Sequence, residues 1–184
     1  MSTSEIHVMR GNCRYSEILY GAILATVPYP DSILELGCGV GRNLSMFTHA
    51  TCRVGVEPYV YNVLDARRNY PDIEIVHASD QYLSEYKENE FDVAFTCSVL
   101  DHIQKWERTF YQMCRIACTT ILFEPYIPGQ ERQALPTETF RWEDTWYHDY
   151  QNAVKGTDYF RVTMRDFPLY EHNSGPLFKM MVIE

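Results

Sequence analysis

The sequence lacks any run of apolar residues near the ~20 that a membrane-spanning helix needs. Its start, Met1 to Arg10, is polar and mixed, without the apolar stretch of a signal peptide. A cytoplasmic location away from membranes is therefore expected. Positive charge is scarce: 16 Lys and Arg face 25 Asp and Glu, for a formal net charge of −9. A field of that sign repels phosphate backbones, so nucleic acid is not an expected partner. Metal-ligand spacing is missing too. The six cysteines (Cys13, Cys38, Cys52, Cys97, Cys114 and Cys118) form no CxxC pair and no cluster with histidine. No metal is expected, and reduced thiols, several of them small buried hydrophobes, are the simplest reading. Cys114 and Cys118, four apart on an expected helix, read as core. The sequence also has no internal repeat and no linker that would divide it.

What is present suits one α/β domain over residues 1–184, with 46% hydrophobic residues and 22% charged. Apolar stripes at helical spacing alternate with short apolar runs. Tyr15 to Val27, Arg42 to His49, Tyr59 to Asn69, Asp80 to Tyr86 and Asp101 to Cys118 read as helices. Ser32 to Leu36, Cys52 to Val56, Ile73 to Ala78, Phe91 to Cys97 and Thr119 to Phe123 read as strands. That alternation predicts βαβ units and a mostly parallel, doubly wound, Rossmann-like sheet. Near the end, Phe140 to Asn152 reads as a helix. Phe160 to Met164 and Leu177 to Ile183 read as an antiparallel strand pair, bringing the sheet to about seven strands. A terminal edge strand can pair with another copy, so monomer and homodimer both stay open.

The strongest local signal is Glu35-Leu36-Gly37-Cys38-Gly39-Val40-Gly41-Arg42-Asn43, which follows one expected strand and opens a helix. Glycines there allow a tight turn and close approach of a ligand to the backbone. Glu57 ends the next strand, where an acid accepts hydrogen bonds from ribose hydroxyls. A dinucleotide site wants GxGxxG; here the spacing is GxGxG, and Arg42 stands in the third glycine's place. Glu35 beside the turn would repel a pyrophosphate. It suits a ligand whose far end carries an ammonium and a sulfonium, and S-adenosylmethionine is that ligand.

On these residues the chain resembles the class I S-adenosylmethionine-dependent methyltransferases. Ile33 through Gly41 is similar to that family's first motif, and Val54-Gly55-Val56-Glu57-Pro58 to its ribose-binding segment. Ser79-Asp80 resembles its adenine contact. Phe91 through Phe95, continuing to Val99-Leu100-Asp101-His102-Ile103, resembles the fourth-strand motif that closes over the cofactor. The resemblance covers about Ser32 to Phe123. It implies cofactor contacts from Glu35, Gly37, Cys38, Gly39, Gly41, Asn43, Glu57, Pro58, Ser79, Asp80, Cys97 and Ser98.

Two histidines are candidate general bases. His102 lies just past the fourth strand, at the carboxyl edge where open α/β sheets place ligands, and a neutral imidazole there takes a proton from a hydroxyl. His148, beside Asp149, is the second. Trp142, Trp146 and Tyr150 read as a packing stripe, and Arg10 and Arg14 as surface arginines. Pro125 to Thr139 and the N-terminal segment are the expected lids. The expected partner is a small polar acceptor, with O-methylation of a sugar or natural-product-like molecule favoured. Three other readings are N-methylation of an amine or amino-acid-like molecule, a non-catalytic binding module or partner subunit, and a nicotinamide oxidoreductase. The GxGxG spacing and Glu35 oppose the last.

Overall fold

A computed structural model describes residues 13–126, 132–133, 146–150, 161–167 and 177–184. Five parallel strands, β1 (Ser32–Leu36), β2 (Cys52–Glu57), β3 (Glu74–His77), β4 (Phe91–Cys97) and β5 (Ala117–Tyr126), form most of one sheet. A two-residue ribbon, β6 (Arg132–Gln133) with β7 (Trp146–Tyr147), stands apart. β8 (Val162–Phe167) and β9 (Leu177–Ile183) then complete a seven-stranded sheet in the order β3-β2-β1-β4-β5-β9-β8, with β9 antiparallel to both neighbours. This is the doubly wound sheet with a terminal antiparallel pair that the sequence predicts.

Successive strand residues point to opposite faces, and each face carries its own core. Ile33, Phe95, Ile121 and Phe123 pack with helix α1 (Cys13–Thr26), through Leu19 and Ile23, and with helix α2 (Val60–Asn69), through Val63 and Ala66. Their chain neighbours Leu34, Ala94 and Leu122 pack on the other face with Trp106 and with Phe110 and Met113 of helix α3 (Glu107–Ile116). Because β1 lies between β2 and β4, the strand order reverses there, and the crevice at the carboxyl ends of β1 and β4 is the place for a ligand. The opposite ends of the same two strands are clamped. Asp92 Oδ2 accepts from the N–H groups of Asp31 (2.8 Å) and Ser32 (3.0 Å), and Ser32 Oγ accepts from Asp92 N–H (2.9 Å).

Several expected elements differ. Arg42 to His49 is not a full helix but one 3-10 turn, Leu44–Met46. Ser45 Oγ donates to the Arg42 carbonyl (2.7 Å), which competes with the helical ladder, and Phe47 leaves the turn to join the core. Asp80 to Glu85 is likewise 3-10. The long helix expected over Asp101 to Cys118 splits into a 3-10 turn, Leu100–His102, and α3. β5 starts early because Ala117 already pairs with Phe91 of β4. Cys118 is therefore an exposed strand residue, not helical core, and Cys52 is exposed as well. Trp146 and Tyr147 lie in β7, not in a helix, and β8 starts two residues later than expected. Trp142 and Arg10 fall outside the described residues, as does most of the Pro125 to Thr139 segment.

Candidate active site

The glycine turn folds β1 back onto its neighbour. The N–H groups of Gly37 and Cys38 both donate to the Val56 carbonyl of β2, at 2.7 and 3.3 Å. Gly37, Gly39 and Gly41 have φ of 69°, 54° and 80°, the left-handed region that glycine enters without a Cβ penalty. Among the described residues, a Cβ on Gly39 would meet nothing within 4 Å, which leaves room for a ligand against the outer face of the turn.

Glu57 is 3% exposed at the end of β2. Its carboxylate accepts from the N–H of Gly39 (2.9 Å), the N–H of Tyr59 (3.0 Å) and Asn62 Nδ2 of α2 (3.1 Å). This acid therefore braces the glycine turn against the start of α2 while standing where a ribose-binding group belongs.

Glu35 is 1% exposed in β1. Its Oε1 accepts from Asn43 Nδ2 (2.6 Å), and Asn43 Oδ1 in turn accepts from Ser16 Oγ of α1 (2.7 Å). Oε2 is buried and has no hydrogen-bond partner among the described residues. Burial raises the Glu35 pKa to about 8, the Asn43 bond opposes the rise, nearby Glu57 adds to it, and the backbone of Leu44 opposes it to a lesser extent. A buried acceptor without a donor is costly. Together with the open face of Gly39 it fits a ligand that brings a cationic N–H, as the ammonium of S-adenosylmethionine does.

The next strands supply the rest of the carboxyl edge. Ser79 caps its 3-10 turn by accepting from the N–H of Gln81 (3.4 Å), and Asp80 accepts from Thr109 Oγ1 of α3 (2.5 Å). Of the two residues expected at an adenine, Asp80 thus fastens the turn to α3 and Ser79 bonds within the turn. The Pro58 carbonyl lies 3.0 Å from His77 Nε2. β4 ends at half-buried Cys97, and Ser98 then turns with φ 57°. Ser98 N–H donates to the Phe123 carbonyl (2.9 Å), and Val99 N–H donates to both oxygens of Glu124, at 3.2 and 3.1 Å.

The two candidate bases meet at the same 3-10 turn in different settings. His102 has a side chain 39% exposed, with Nε2 3.9 Å from Oδ1 of the buried Asp101. Ser98 Oγ is 3.4 Å from the other oxygen, Oδ2. His148 is 0% exposed. Its Nε2 is 2.9 Å from the Leu100 carbonyl, so this nitrogen carries the proton and donates. Its ring packs against both Trp106 (centroids 5.3 Å) and Tyr150 (5.7 Å), which also touch each other at 4.8 Å. Burial lowers its pKa, while backbone carbonyls and Asp101 pull the other way. His148 therefore supports the turn from within, whereas His102 reaches solvent. Glu124, Asn62, Ser16 and Thr109 were not expected at the site. Only Glu124 had a visible signal, a lone acid closing an otherwise apolar strand. Among the described residues, no group of three or more His, Cys, Asp or Glu could hold a metal ion. None of the described helices is long and apolar enough to cross a membrane.

Residues 34–119 match a family model described as a methyltransferase domain. No curated protein matches the chain. Several solved structures share its fold. The methyltransferase domain of bacterial CtHen1 superposes with a TM-score of 0.66, at 16% identity, covering 94% of this chain and 99% of that one. An S-adenosylmethionine-dependent methyltransferase from Mesorhizobium loti gives 0.67 at 18% identity, covering 94% and 98%. The bifunctional kinase-methyltransferase WbdD gives 0.65 at 19% identity, covering 94% of this chain but 38% of that larger protein. At these identities the likeness is one of fold.

Proposed function

We propose that the chain is a class I S-adenosylmethionine-dependent methyltransferase, on the match of residues 34–119 to a methyltransferase-domain model, and that it methylates a hydroxyl group of a small polar metabolite, sugar-like or natural-product-like. The observation that carries this reading is the pairing of a partly exposed His102 with the buried Asp101 behind it, at the carboxyl end of β4. Bound on the glycine turn, S-adenosylmethionine supplies a methyl carbon activated by its sulfonium. Glu35 Oε2 would receive the ammonium, Glu57 would take the ribose hydroxyls, and Ser79 with Asp80 would border the adenine. His102 would take the proton of the attacking hydroxyl as the oxygen–carbon bond forms and the carbon–sulfur bond breaks to leave a neutral thioether, and Asp101 would steady the resulting imidazolium. Much of the acceleration comes from alignment in a water-poor crevice; orientation alone supplies on the order of 7–11 kcal/mol. The net charge of −9 disfavours long polyanionic acceptors.

Methylation of a small amine is the second reading. The buried carboxyl group of Asp101 behind the same turn favours it, because it would attract a cationic acceptor.

Cofactor binding is tested by calorimetry with S-adenosylhomocysteine on the wild type and on Glu57→Gln. The wild type binds, and the variant binds at least about tenfold more weakly, since a ribose acceptor and the brace on Gly39 are both altered. Equal affinity removes Glu57 from the ribose. Turnover with panels of hydroxyl and amine acceptors then separates the two chemistries, and methyl transfer confined to amines sinks the O-methylation reading.

A further inference from the structure

Glu124 belongs to none of the motifs above, yet it is 1% exposed at the inner end of an apolar run. Removing a carboxyl group from water is expensive unless its oxygens find donors. Here the N–H of Val99 reaches both oxygens, at 3.2 and 3.1 Å, and the Thr96 side chain and the backbone of Leu100 bond the carboxyl group as well. That N–H has just left the β4 ladder, whose last pair with β5 is Cys97 with Phe123. The preceding residue, Ser98, is a non-glycine residue at φ 57°, a conformation that must be held from outside. Its N–H is gripped by the Phe123 carbonyl at 2.9 Å. Consecutive residues of β5 thus hold consecutive residues of the turn after β4.

The consequence reaches the glycine turn. With Val99 held in this way, its methyl groups fill the space beside Gly37; a Cβ there would lie 2.4 Å from Val99 Cγ2. A continuous line of contact runs from Glu124 through the Val99 backbone and side chain to the first residue of the cofactor turn. We propose that Glu124 is a positioning residue for the cofactor: it holds Val99 against Gly37 and so fixes the shape of the turn on which the methyl donor rests. This rests on the reading of that turn as the S-adenosylmethionine site. What matters in Glu124 is an acceptor oxygen and not a negative charge. Burial, with the like charge of Asp101 beside it, raises its pKa and favours the protonated form, which still accepts from Val99. Glutamine keeps such an oxygen; alanine does not.

Three variants test the proposal: Glu124→Ala, Glu124→Gln and Val99→Ala. Two readouts are taken, hydrogen exchange of the peptide spanning residues 97–102 and calorimetry with S-adenosylhomocysteine. Glu124→Ala should exchange faster there and bind about tenfold more weakly. Glu124→Gln should recover both readouts to within about threefold, a rescue that general loosening of the core would not produce. Val99→Ala, which leaves the Glu124 bond in place and removes only two methyl groups, should weaken binding without faster exchange. The proposal is overturned if either alanine variant binds like the wild type, or if the glutamine variant is no better than the alanine one. Should Glu124→Ala not fold, Val99→Ala and Glu124→Gln decide alone: wild-type affinity in the first, or a tenfold loss in the second, overturns it. A wild type that fails to bind S-adenosylhomocysteine removes the cofactor reading and this proposal with it. The exchange contrast then locates the failure in the ligand and not in the hold on Val99.

Discussion

Val99 occupies the room that a side chain on Gly37 would need, its Cγ2 lying 2.4 Å from where a Cβ would be built. The two residues belong to different turns, one after β1 and one after β4, and they meet because those strands are neighbours in the sheet. The glycine is thus required twice, by its φ of 69° and by its neighbour.

Gly37→Ala should be one of the more damaging single substitutions in the chain. The left-handed backbone alone costs about 1–2 kcal/mol, and displacing Val99 adds to it. The double variant with Val99→Ala should regain the steric part and keep the backbone part. Urea unfolding of the single and double variants measures the difference. Equal stabilities would mean that Val99 is not the obstacle.

Glu35 makes stability depend on pH in a defined window. Its folded-state pKa of about 8 lies above the ordinary 4.5, so the folded protein binds this proton more tightly than the unfolded chain does. The contribution is fully present below about pH 4.5 and is lost as pH rises to about 8, at roughly 1.4 kcal/mol per pH unit. Glu124 acts in the same direction. Unfolding measured from pH 5 to 9 should show a falling limb that is shallower in Glu35→Gln. S-adenosylmethionine should bind the wild type more tightly toward pH 8, as Glu35 gives up its proton to receive the ammonium. A pH-independent affinity would argue against that contact.

The two histidines should separate by phenotype. His148→Ala removes an enclosed ring packed against Trp106 and Tyr150 and should cost about 2–3 kcal/mol, a fall in Tm on the order of 4–12 °C. His102→Ala should leave stability within about 0.5 kcal/mol. With a hydroxyl acceptor it should lower turnover by about 10²–10⁴-fold with little change in cofactor affinity. Full turnover without His102 would leave no base at this position.

The sheet was legible because its strands are short apolar runs closed by distinctive residues: Leu36 before Gly37, Glu57 before Pro58, Cys97 before Ser98. The cradle acids Glu35 and Glu57 could be read for the same reason, since each sits within a few residues of the glycines or at a strand end. Local pattern misled where a tertiary partner decided the outcome. Arg42 to His49 has helical spacing, but Phe47 is drawn under the sheet and Ser45 bonds backward. Cys118 was placed on a helix because the apolar pattern of α3 runs on, whereas pairing with β4 starts the strand at Ala117. Asp80, which motif resemblance assigns to a ligand, holds Thr109, twenty-nine residues away. Glu124 and Asn62 gain meaning only when neighbouring elements come together, and no spacing rule reports that.

Asp92 ties β1 and β4 together at the end remote from the glycines. From there to the glycine turn the two strands stay paired, from Ile33 with Val93 to Leu36 with Thr96. A seam fastened in this way frays first at the end where no ligand sits, so losing the Asp92 carboxylate should loosen the strand starts and leave the cradle at the other end in place.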